Sequence, residues 1–339
     1  MGANGGMTQC HARPTRRTLF ALGVTGAAVA VRSAGANLPD AVTLLAAGPE
    51  EGAAVQWASR IGGGLGRYLT EAAVIRVQVV GGGDGVAAAN RFATAGAPDG
   101  RTLLSVATMA AQVKAAGDSR ARFDHSGWLA LCGAASSAVL AGRGPLPRRG
   151  TTFRLGLWSP DSPDAVALMA LDAMGVSAAP VFGVPPGAAD AALAQGAIDA
   201  AMLSGPGLAE RLGALGVQPW VAAEAAGGGR DPALAEAPVL PELLGTDRTA
   251  LLAACRLGFA AFRTRGLVVL PALTPAEILG PWRAAGQRWI EEEARDPMDG
   301  ARPLGAAEAA ALLAALCPSP EALRAYRDWL GRRLNWRAV

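Results

Sequence analysis

The stretch "LLAAGPEEGAAVQW", Leu44 to Trp57, combines the features of an anion-binding loop with two acidic residues. An apolar run ends at Gly48-Pro49, Glu50 and Glu51 follow, and Gly52 precedes a helical pattern. At such a junction the free backbone N–H groups and the helix dipole point at the turn and attract anions. Two carboxylates close by would repel an anionic ligand by a few kcal/mol if they were desolvated. We expect both side chains to face solvent, where they stabilise the helix; the alternative is a neutral or cationic ligand.

Three other groups of residues have types that catalysis uses. Ser204 in "MLSGPG" follows a strand pattern, but the G-x-S-x-G spacing of a nucleophile elbow is absent. His125 lies in the polar segment "RARFDHSGW", where we expect an exposed connector residue. Asp161 and Asp164 could pair as acid and base, but Ser162 as a helix N-cap makes them residues of a helix start. We therefore predict no catalytic residues, no cofactor and no metal site.

The N-terminal segment has the pattern of an export leader. In "RPTRRTLFALGVTGAAVAV" the pair Arg16-Arg17 precedes a short run rich in Gly and Ala, too weakly apolar to span a bilayer. Ala34 and Ala36 then supply a small-x-small cleavage signal. Twin arginines before such a run indicate a Tat-type signal peptide over residues 1–36, cleaved after Ala36, and hence a periplasmic protein. A Sec leader and an uncleaved anchor are the alternatives.

The charge of the chain argues against nucleic-acid binding. Of the 31 basic residues only Lys114 is a lysine, so arginine is used throughout and a single arginine carries little functional weight. Removal of residues 1–36 takes away four arginines and no acid, which leaves 27 basic against 28 acidic residues. A net charge near −1 gives no electrostatic reason to bind a polyanion.

The pattern of apolar runs predicts two successive α/β units. In the first unit we predict strands at Val42–Ala46, Val74–Val79 and Thr102–Val106, and helices at Ala53–Leu69, Gly85–Ala95 and Thr108–Ala116. After the linker "GRGPLPRRGTT" the alternation restarts, and the C-terminal third adds strands at Arg256–Phe262 and Leu267–Leu270 and a last helix after Pro320. Alternating strands and helices form parallel sheets with helices on their faces.

In this order, several segments resemble the Bug (TctC-type) extracytoplasmic receptors of the tripartite tricarboxylate transporters. "VGGGDGVAAANRFATAGAPDGRTLLSVAT" matches the family's Gly-rich turn, helix, Pro-Asp-Gly turn and strand. "LAQGAIDAAML", "RDPALAEAPVLPELLG" and "LPALTPAEILGPWR" match later segments. The family's first loop often reads Pro-Gly-Gly, whereas this chain has Pro49-Glu50-Glu51-Gly52. The chain therefore looks like a divergent member.

The resemblance implies the type II periplasmic binding protein fold, an α/β fold of two lobes. Each lobe is a helix-flanked, mostly parallel sheet, and the chain crosses twice between the lobes. Carried onto this sequence, lobe one comprises 37–138 and 264–339, and lobe two comprises 143–256. Residues 139–142 and 257–263 would be the crossing strands.

The resemblance also implies a ligand site in the cleft between the lobes. The loops that hold a ligand carboxylate in the family fall here on Gly48, Pro49, Glu50, Glu51, Gly52, Ala107, Thr108, Met109, Trp158, Ser159, Asp161, Ser162, Gly183 and Val184. At Gly183 and Val184 this chain lacks the polar groups that the family often has.

By the same resemblance, the function would be capture of a small carboxylate-bearing metabolite in the periplasm. A monomeric receptor would deliver it to a tripartite tricarboxylate-type permease, or present it to a sensor kinase. The alternatives are a degenerate receptor that acts as a sensor or interaction protein, and a receptor for a neutral or cationic ligand.

Three cysteines remain after the leader, and they are widely spaced. They are Cys132, Cys255 and Cys317, too dispersed for a zinc site with clustered ligands. Either all three are buried thiols or one disulfide forms. In the second case Cys132 and Cys255, both near the predicted lobe crossings, are the expected pair.

Overall fold

The computed structural model describes residues 41–69, 73–147, 150–226, 228–245 and 249–338. The predicted leader and its cleavage after Ala36 lie outside these residues. Two β-sheets, each with helices on both faces, organise the described part of the chain. In that part, no helix has the length and apolarity needed to cross a bilayer.

The first sheet, which forms lobe one, has six strands among the described residues, in the order β11-β4-β10-β3-β1-β2. They are β1 (Ala41–Ala46), β2 (Val74–Val79), β3 (Thr102–Ser105), β4 (Leu129–Ala135), β10 (Thr264–Leu270) and β11 (Arg302–Leu304). β1 pairs in parallel with β2 and β3, and β10 runs antiparallel between β3 and β4. Strands β1 to β4 therefore share one direction, and their carboxyl ends lie at one edge of the sheet.

The second sheet, which forms lobe two, has five described strands in the order β7-β6-β8-β5-β9. They are β5 (Ala138–Arg143), β6 (Phe153–Leu157), β7 (Ala178–Phe182), β8 (Ala200–Ser204) and β9 (Val217–Ala222). β6 pairs in parallel with β7 and β8, whereas β5 runs antiparallel to β8 and β9. Most of the described strands in each sheet thus share one direction, and β10, β11 and β5 run against them.

Eleven α-helices are present in the described residues. They are α1 (Ala53–Tyr68), α2 (Val86–Ala95), α3 (Thr108–Ala116), α4 (Ala165–Met174), α5 (Ala189–Ala194), α6 (Leu208–Leu215), α7 (Leu240–Leu244), α8 (Thr249–Arg263), α9 (Ala276–Glu293), α10 (Ala306–Ala315) and α11 (Pro320–Leu334). Short 3-10 turns occur at Pro186–Ala188, Pro232–Leu234 and Met298–Gly300.

Each sheet is buried on both faces, because neighbouring side chains along a strand point to opposite sides. In β1, Leu44 packs with α1 and α9 on one face, whereas Leu45 packs with α2 and α3 on the other. In β8, Met202 and Leu203 divide in the same way between the two faces of the second sheet. This double burial explains why the strands read as continuous apolar runs.

The two crossings between lobes differ from the prediction. The first crossing is the two-residue link Ser136-Ser137 between β4 and β5, so residues 139–142 lie within β5 of the second sheet. The second crossing passes through helix α8, so 257–263 is not a strand. The strand predicted at Arg256–Phe262 is wrong for the same reason. α8 is buried among α3, α4, α10 and α11, and a short apolar run such as the one within Arg256–Phe262 does not distinguish a buried helix from a buried strand.

The C-terminal helix α11 also departs from the predicted division into lobes. It begins at a Ser319 N-cap, whose side chain accepts a hydrogen bond from Ala322 N–H. Tyr326 and Leu330 pack in the core of the second lobe, and Trp329 Nε1 donates to Asp172 Oδ2 of α4 at 2.9 Å. α11 therefore joins α3 of lobe one to α4 of lobe two.

Two cysteines and one histidine outside the cleft correct predictions made from the sequence. The described cysteines are free thiols, with Cys132 in β4 and Cys255 in α8 both fully buried, so of the two alternatives the Cys132–Cys255 disulfide is excluded. Burial raises the pKa of the Cys255 thiol to about 12. His125 is 4% exposed and not an exposed connector residue. Its Nε2 lies 2.9 Å from Leu316 O, and Phe123 and Trp128 pack beside it.

Candidate functional site in the cleft between the lobes

The loops that follow parallel strands face one cavity between the two lobes. This cavity has a volume of about 460 Å³. Lobe one contributes the start of α1, Gly83 and the turn after β3; lobe two contributes Ser204, Gly205 and Pro206. Thr264 and Arg265, directly after the second crossing, complete the lining together with Asp299. Ligands of open α/β sheets bind at the carboxyl ends of strands, where this cavity lies.

The loop Gly48–Gly52 leads into helix α1, and the start of this helix lines the cavity, whereas the two acids of the loop do not. Glu50 and Glu51 are exposed and do not line the cavity, whereas Ala53 and Ala54, the first residues of α1, do. Gly52 N–H is already used, because it donates to Pro49 O at 2.8 Å. The first N–H groups of a helix have no acceptor within the helix, so the α1 N-terminus presents donors and a partial positive charge here.

The turn after β3 brings a second helix N-terminus to the same cavity. Ala107 is the N-cap of α3, and Thr108 and Met109 are its first two residues; all three line the cavity. Thr108 Oγ1 donates to Ala261 O of α8 at 2.9 Å. That bond ties the α3 N-terminus to the segment that connects the lobes.

Gly85 allows the loops of lobe one to pack closely against one another. Its φ is +74°, in the left-handed region that favours glycine. A Cβ there would collide with Ala107 and lie 3.3 Å from the Cβ of Ala47. The Gly-rich turn after β2 is therefore needed for close packing between the loops that follow β1 and β3.

Arg265 is the residue of this site that the sequence did not reveal. Its guanidinium is partly buried, with Nε donating to Ser136 Oγ and Nη2 donating to Ser204 Oγ, both at 2.9 Å. Among the described residues, no carboxylate lies within the 4.0 Å of an ion pair to it. Burial lowers the pKa of Arg265, and the negative charge of Asp299 opposes this. An arginine stays protonated at neutral pH, so a cation without a carboxylate partner faces the cavity.

The neighbouring arginine of lobe two is neutralised. Arg211 forms an ion pair with Asp190 at 2.7 Å and donates from Nη1 to Ser204 O at 2.9 Å. Ser204 is thus fixed from two sides, by Arg211 at its carbonyl and by Arg265 at its hydroxyl. Because its oxygen accepts from Arg265, its hydroxyl hydrogen is free to donate to a ligand.

Lobe one and lobe two touch beside the cavity. Gly300, in the turn before β11, has φ +60°, and a Cβ on it would lie 3.0 Å from Pro206 Cβ of lobe two. Asp299 in the same turn is exposed, so water screens its charge more than that of Arg265.

The predicted lobe-two loop, Trp158 to Ser162, lies outside the lining of this cavity. Its polar groups bond to one another: Ser159 N–H donates to Ser162 Oγ at 3.0 Å, and Ser159 Oγ donates to Asp161 Oδ1 at 2.6 Å. The N-cap of α4 is Asp164 and not Ser162, so the helix starts later than predicted.

The buried carboxylate of Asp164 accepts hydrogen bonds from this loop. Asp164 is 5% exposed; it accepts the Trp158 N–H at 2.8 Å and a hydrogen bond from the Ser162 hydroxyl. Burial raises the pKa of Asp164, which these hydrogen bonds oppose. The resemblance implies that N–H groups of this loop bind a ligand carboxylate, but the Trp158 N–H already donates to the protein's own carboxylate.

Gly183 and Val184 extend the pairing of β6 with β7 and do not line the cavity. Gly183 N–H donates to Trp158 O at 3.1 Å, and Val184 N–H donates to Leu157 O at 3.0 Å. Gly183 has φ +86° and is exposed. Neither residue places a polar side chain near the cleft.

Within the described residues, no cluster of three or more His, Cys, Asp or Glu side chains could hold a metal ion. His125 and Ser204 belong to different sites, because the His125 ring is packed against Phe123 and bonded to Leu316 O.

The comparisons with known proteins agree with this architecture. No sequence family and no curated protein matches the chain. Among solved structures, a TctC solute binding protein from Polaromonas is similar with a TM-score of 0.60 and 17% identity, over 86% of this chain and 98% of that one. The periplasmic binding protein BugD is similar with a TM-score of 0.50 and 14% identity, over 88% and 98%. At these identities the likeness establishes the fold, and the predicted two-lobed fold is confirmed.

Proposed function

We propose that this chain is a periplasmic receptor that captures a small carboxylate-bearing solute between its two lobes. The observation that carries the proposal is the convergence of Arg265 and the N-termini of α1 and α3 on one cavity with residues from both lobes. A guanidinium that has no carboxylate partner in the described part of the chain, together with the free N–H groups of two helix N-termini, favours an anion. A volume of about 460 Å³ suits a small metabolite.

The way the site is divided between the lobes supports capture by closure. Lobe one supplies the helix N-termini, lobe two supplies the Ser204 hydroxyl, and Arg265 follows the crossing between them. A ligand that contacts all three binds more tightly when the lobes approach each other, because only then are all its contacts made. Such differential affinity is what a receptor of this kind requires.

We further propose that the receptor is exported by the Tat route, acts as a monomer and hands its ligand to a tripartite tricarboxylate-type permease. The twin arginines, the small-x-small signal and the segments that resemble the Bug receptors support this assignment.

A binding screen tests the carboxylate proposal. The mature protein is titrated with carboxylates, amines and amides in a thermal-shift assay, and hits are measured by calorimetry. A carboxylate at about 100 times its Kd should add roughly 2.7 kcal/mol to the free energy of unfolding. Arg265→Gln should weaken binding by about 2 kcal/mol, roughly thirtyfold, through loss of a charge-assisted contact.

Arg91→Gln is the matched control. Arg91 lies on α2 outside the cavity, and within the described residues its side chain donates only to Gln78 Oε1, at 3.2 Å. It should leave the affinity unchanged. Binding of amines in preference to carboxylates, or equal effects of the two substitutions, would contradict the proposal.

A further inference from the structure

A second cavity lies against α8, the helix through which the chain makes its second crossing between the lobes. This crossing cavity has a volume of about 360 Å³ and shares no lining residue with the cavity in the cleft. Lobe two contributes the end of β9, the segment that follows it and Leu240 of α7, and lobe one contributes a face of α10. The wall from α8 consists of Arg256, Phe259, Ala260 and Arg263, whose spacing places them on one side of the helix.

The walls of the crossing cavity are mainly apolar, and many of their side chains are small. Leu240, Phe259 and Leu312 are buried and line it. Seven of the fourteen lining residues are alanines, and larger side chains at these positions would occupy the space. Ligand pockets typically have volumes of about 300–1,000 Å³ and apolar walls with a few polar groups. The crossing cavity therefore has the size and the lining of a site for a small molecule.

Arg263, the last residue of α8, is the buried polar side chain of the crossing cavity. It is 4% exposed, and its guanidinium has five N–H donors. Within the described residues these donors make one hydrogen bond, from Nη1 to Glu224 O, and Nε has no partner. Because a buried donor without an acceptor is unfavourable, an acceptor atom on a bound molecule would be stabilised here.

The charges around the crossing cavity already balance one another. Arg256 and Glu224, both in the lining, form an ion pair at 2.8 Å. Asp231 offsets the charge of Arg263, because its Oδ2 lies 3.7 Å from Arg263 Nη2, although Asp231 itself lines a neighbouring cavity. Burial lowers the pKa of Arg263, and the negative charge of Asp231 opposes this. A charged molecule would add an uncompensated charge to a partly desolvated site, which is costly.

We propose that the crossing cavity binds a small neutral molecule that has an apolar body and one carbonyl or ether oxygen. The oxygen accepts a hydrogen bond from the Arg263 guanidinium, and the body packs on Leu240, Phe259 and Leu312. A protonated amine offers no acceptor and is repelled by Arg263, whereas a carboxylate meets the acids Glu224 and Asp231 nearby. This second site is independent of the ligand in the cleft and does not rest on the proposed function.

Calorimetry on the full mature protein tests the proposal with three ligands of similar size. They are cyclohexyl methyl ketone, cyclohexanecarboxylate and cyclohexylmethylammonium. We expect saturable binding of the ketone, at least tenfold tighter than binding of the ammonium. Any binding of the carboxylate should take place in the cleft and therefore be unchanged by substitutions in the crossing cavity.

Two substitutions on α10 locate the site. Ala315→Leu places extra side-chain volume in the lining and should weaken ketone binding at least tenfold. Ala314→Leu is the matched control, because Ala314 is exposed and lies outside the lining, and it should change the affinity less than twofold. Neither substitution should change the affinity of a carboxylate for the cleft.

Arg263→Met tests the polar contact and should weaken ketone binding at least fivefold. If circular dichroism shows that this variant does not fold, the comparison of the ketone with the ammonium tests the same contact. Absence of saturable ketone binding, equal affinities for ketone and ammonium, or equal effects of Ala315→Leu and Ala314→Leu would each refute the inference. None of these results bears on the carboxylate receptor, whose ligand occupies the other cavity.

Discussion

Replacement of Tyr326 by Phe probes the buried contact through which α11 joins the two lobes. Gln112 of α3 is fully buried; its Nε2 donates to Tyr326 Oη at 2.6 Å and to Ser162 O of lobe two at 3.5 Å. Its Oε1 has no partner among the described residues. In Tyr326→Phe the buried amide keeps only the long bond to Ser162 O.

The expected cost follows from that lost bond. Leaving a buried polar group unsatisfied costs about 1–3 kcal/mol, so we expect a loss near 2 kcal/mol in the free energy of unfolding. For domains of about 150–250 residues, 1 kcal/mol corresponds to about 2–4 °C in the midpoint of thermal unfolding. We therefore expect this midpoint to fall by several degrees. Adding Gln112→Leu removes the orphaned amide, so the double variant should lose no more than Tyr326→Phe alone.

Chemical denaturation monitored by circular dichroism measures these differences. Tyr68→Phe is the matched control, since Tyr68 is the other of the two tyrosines and lies at the end of α1, less buried. It should change the free energy of unfolding by less than about 0.5 kcal/mol. A loss below that size for Tyr326→Phe, or strictly additive losses in the double variant, would refute the reasoning.

Three further predictions concern the opening loop, the leader and the buried histidine. Glu50→Gln with Glu51→Gln should leave carboxylate affinity unchanged or raise it up to about tenfold, because both acids are exposed and only their repulsion is removed; a loss of 2 kcal/mol or more by calorimetry would mean that a glutamate holds a cation. Arg16→Lys with Arg17→Lys should leave uncleaved precursor in the cytoplasm on immunoblots of cell fractions; normal maturation of that variant would exclude the Tat route. Burial lowers the pKa of His125 below 6.5, so the stability it contributes above that pH is lost as the pH falls toward the folded pKa. His125→Gln should therefore lose less stability than wild type between neutral pH and about pH 5 in denaturation titrations, and parallel losses would contradict this.

Elements with strong periodicity and clear ends could be predicted from the sequence. β2 and α3 have the predicted bounds, and Gly117, with a φ of +101°, marks where α3 ends. α8 could not be predicted, because it packs against helices of both lobes and is therefore built mainly from apolar residues. β11 and α10 were missed because the strand has three residues and the helix lacks a polar stripe.

The sequence predicts the loops and helix starts of the candidate site, but not the contacts of its side chains. The turn at Ala107–Met109 and the start of α1 follow from strand–turn–helix patterns, which sequence reveals directly. Arg265 could not be singled out among so many arginines, because its importance depends on its burial and on the fact that no described carboxylate pairs with it. The sequence predicts that Asp164 is a helix-start residue, and only the structure shows that its carboxylate also accepts the Trp158 N–H.

The structure of the mature protein with a bound carboxylate from the screen tests the central claim most directly. The account predicts carboxylate oxygens within hydrogen-bond distance of the Arg265 guanidinium, with at least one N–H group from the first turn of α1 or α3 as a further donor. A ligand seated with a positive group on Asp299 or on Glu50, or bound outside the cleft altogether, would contradict it.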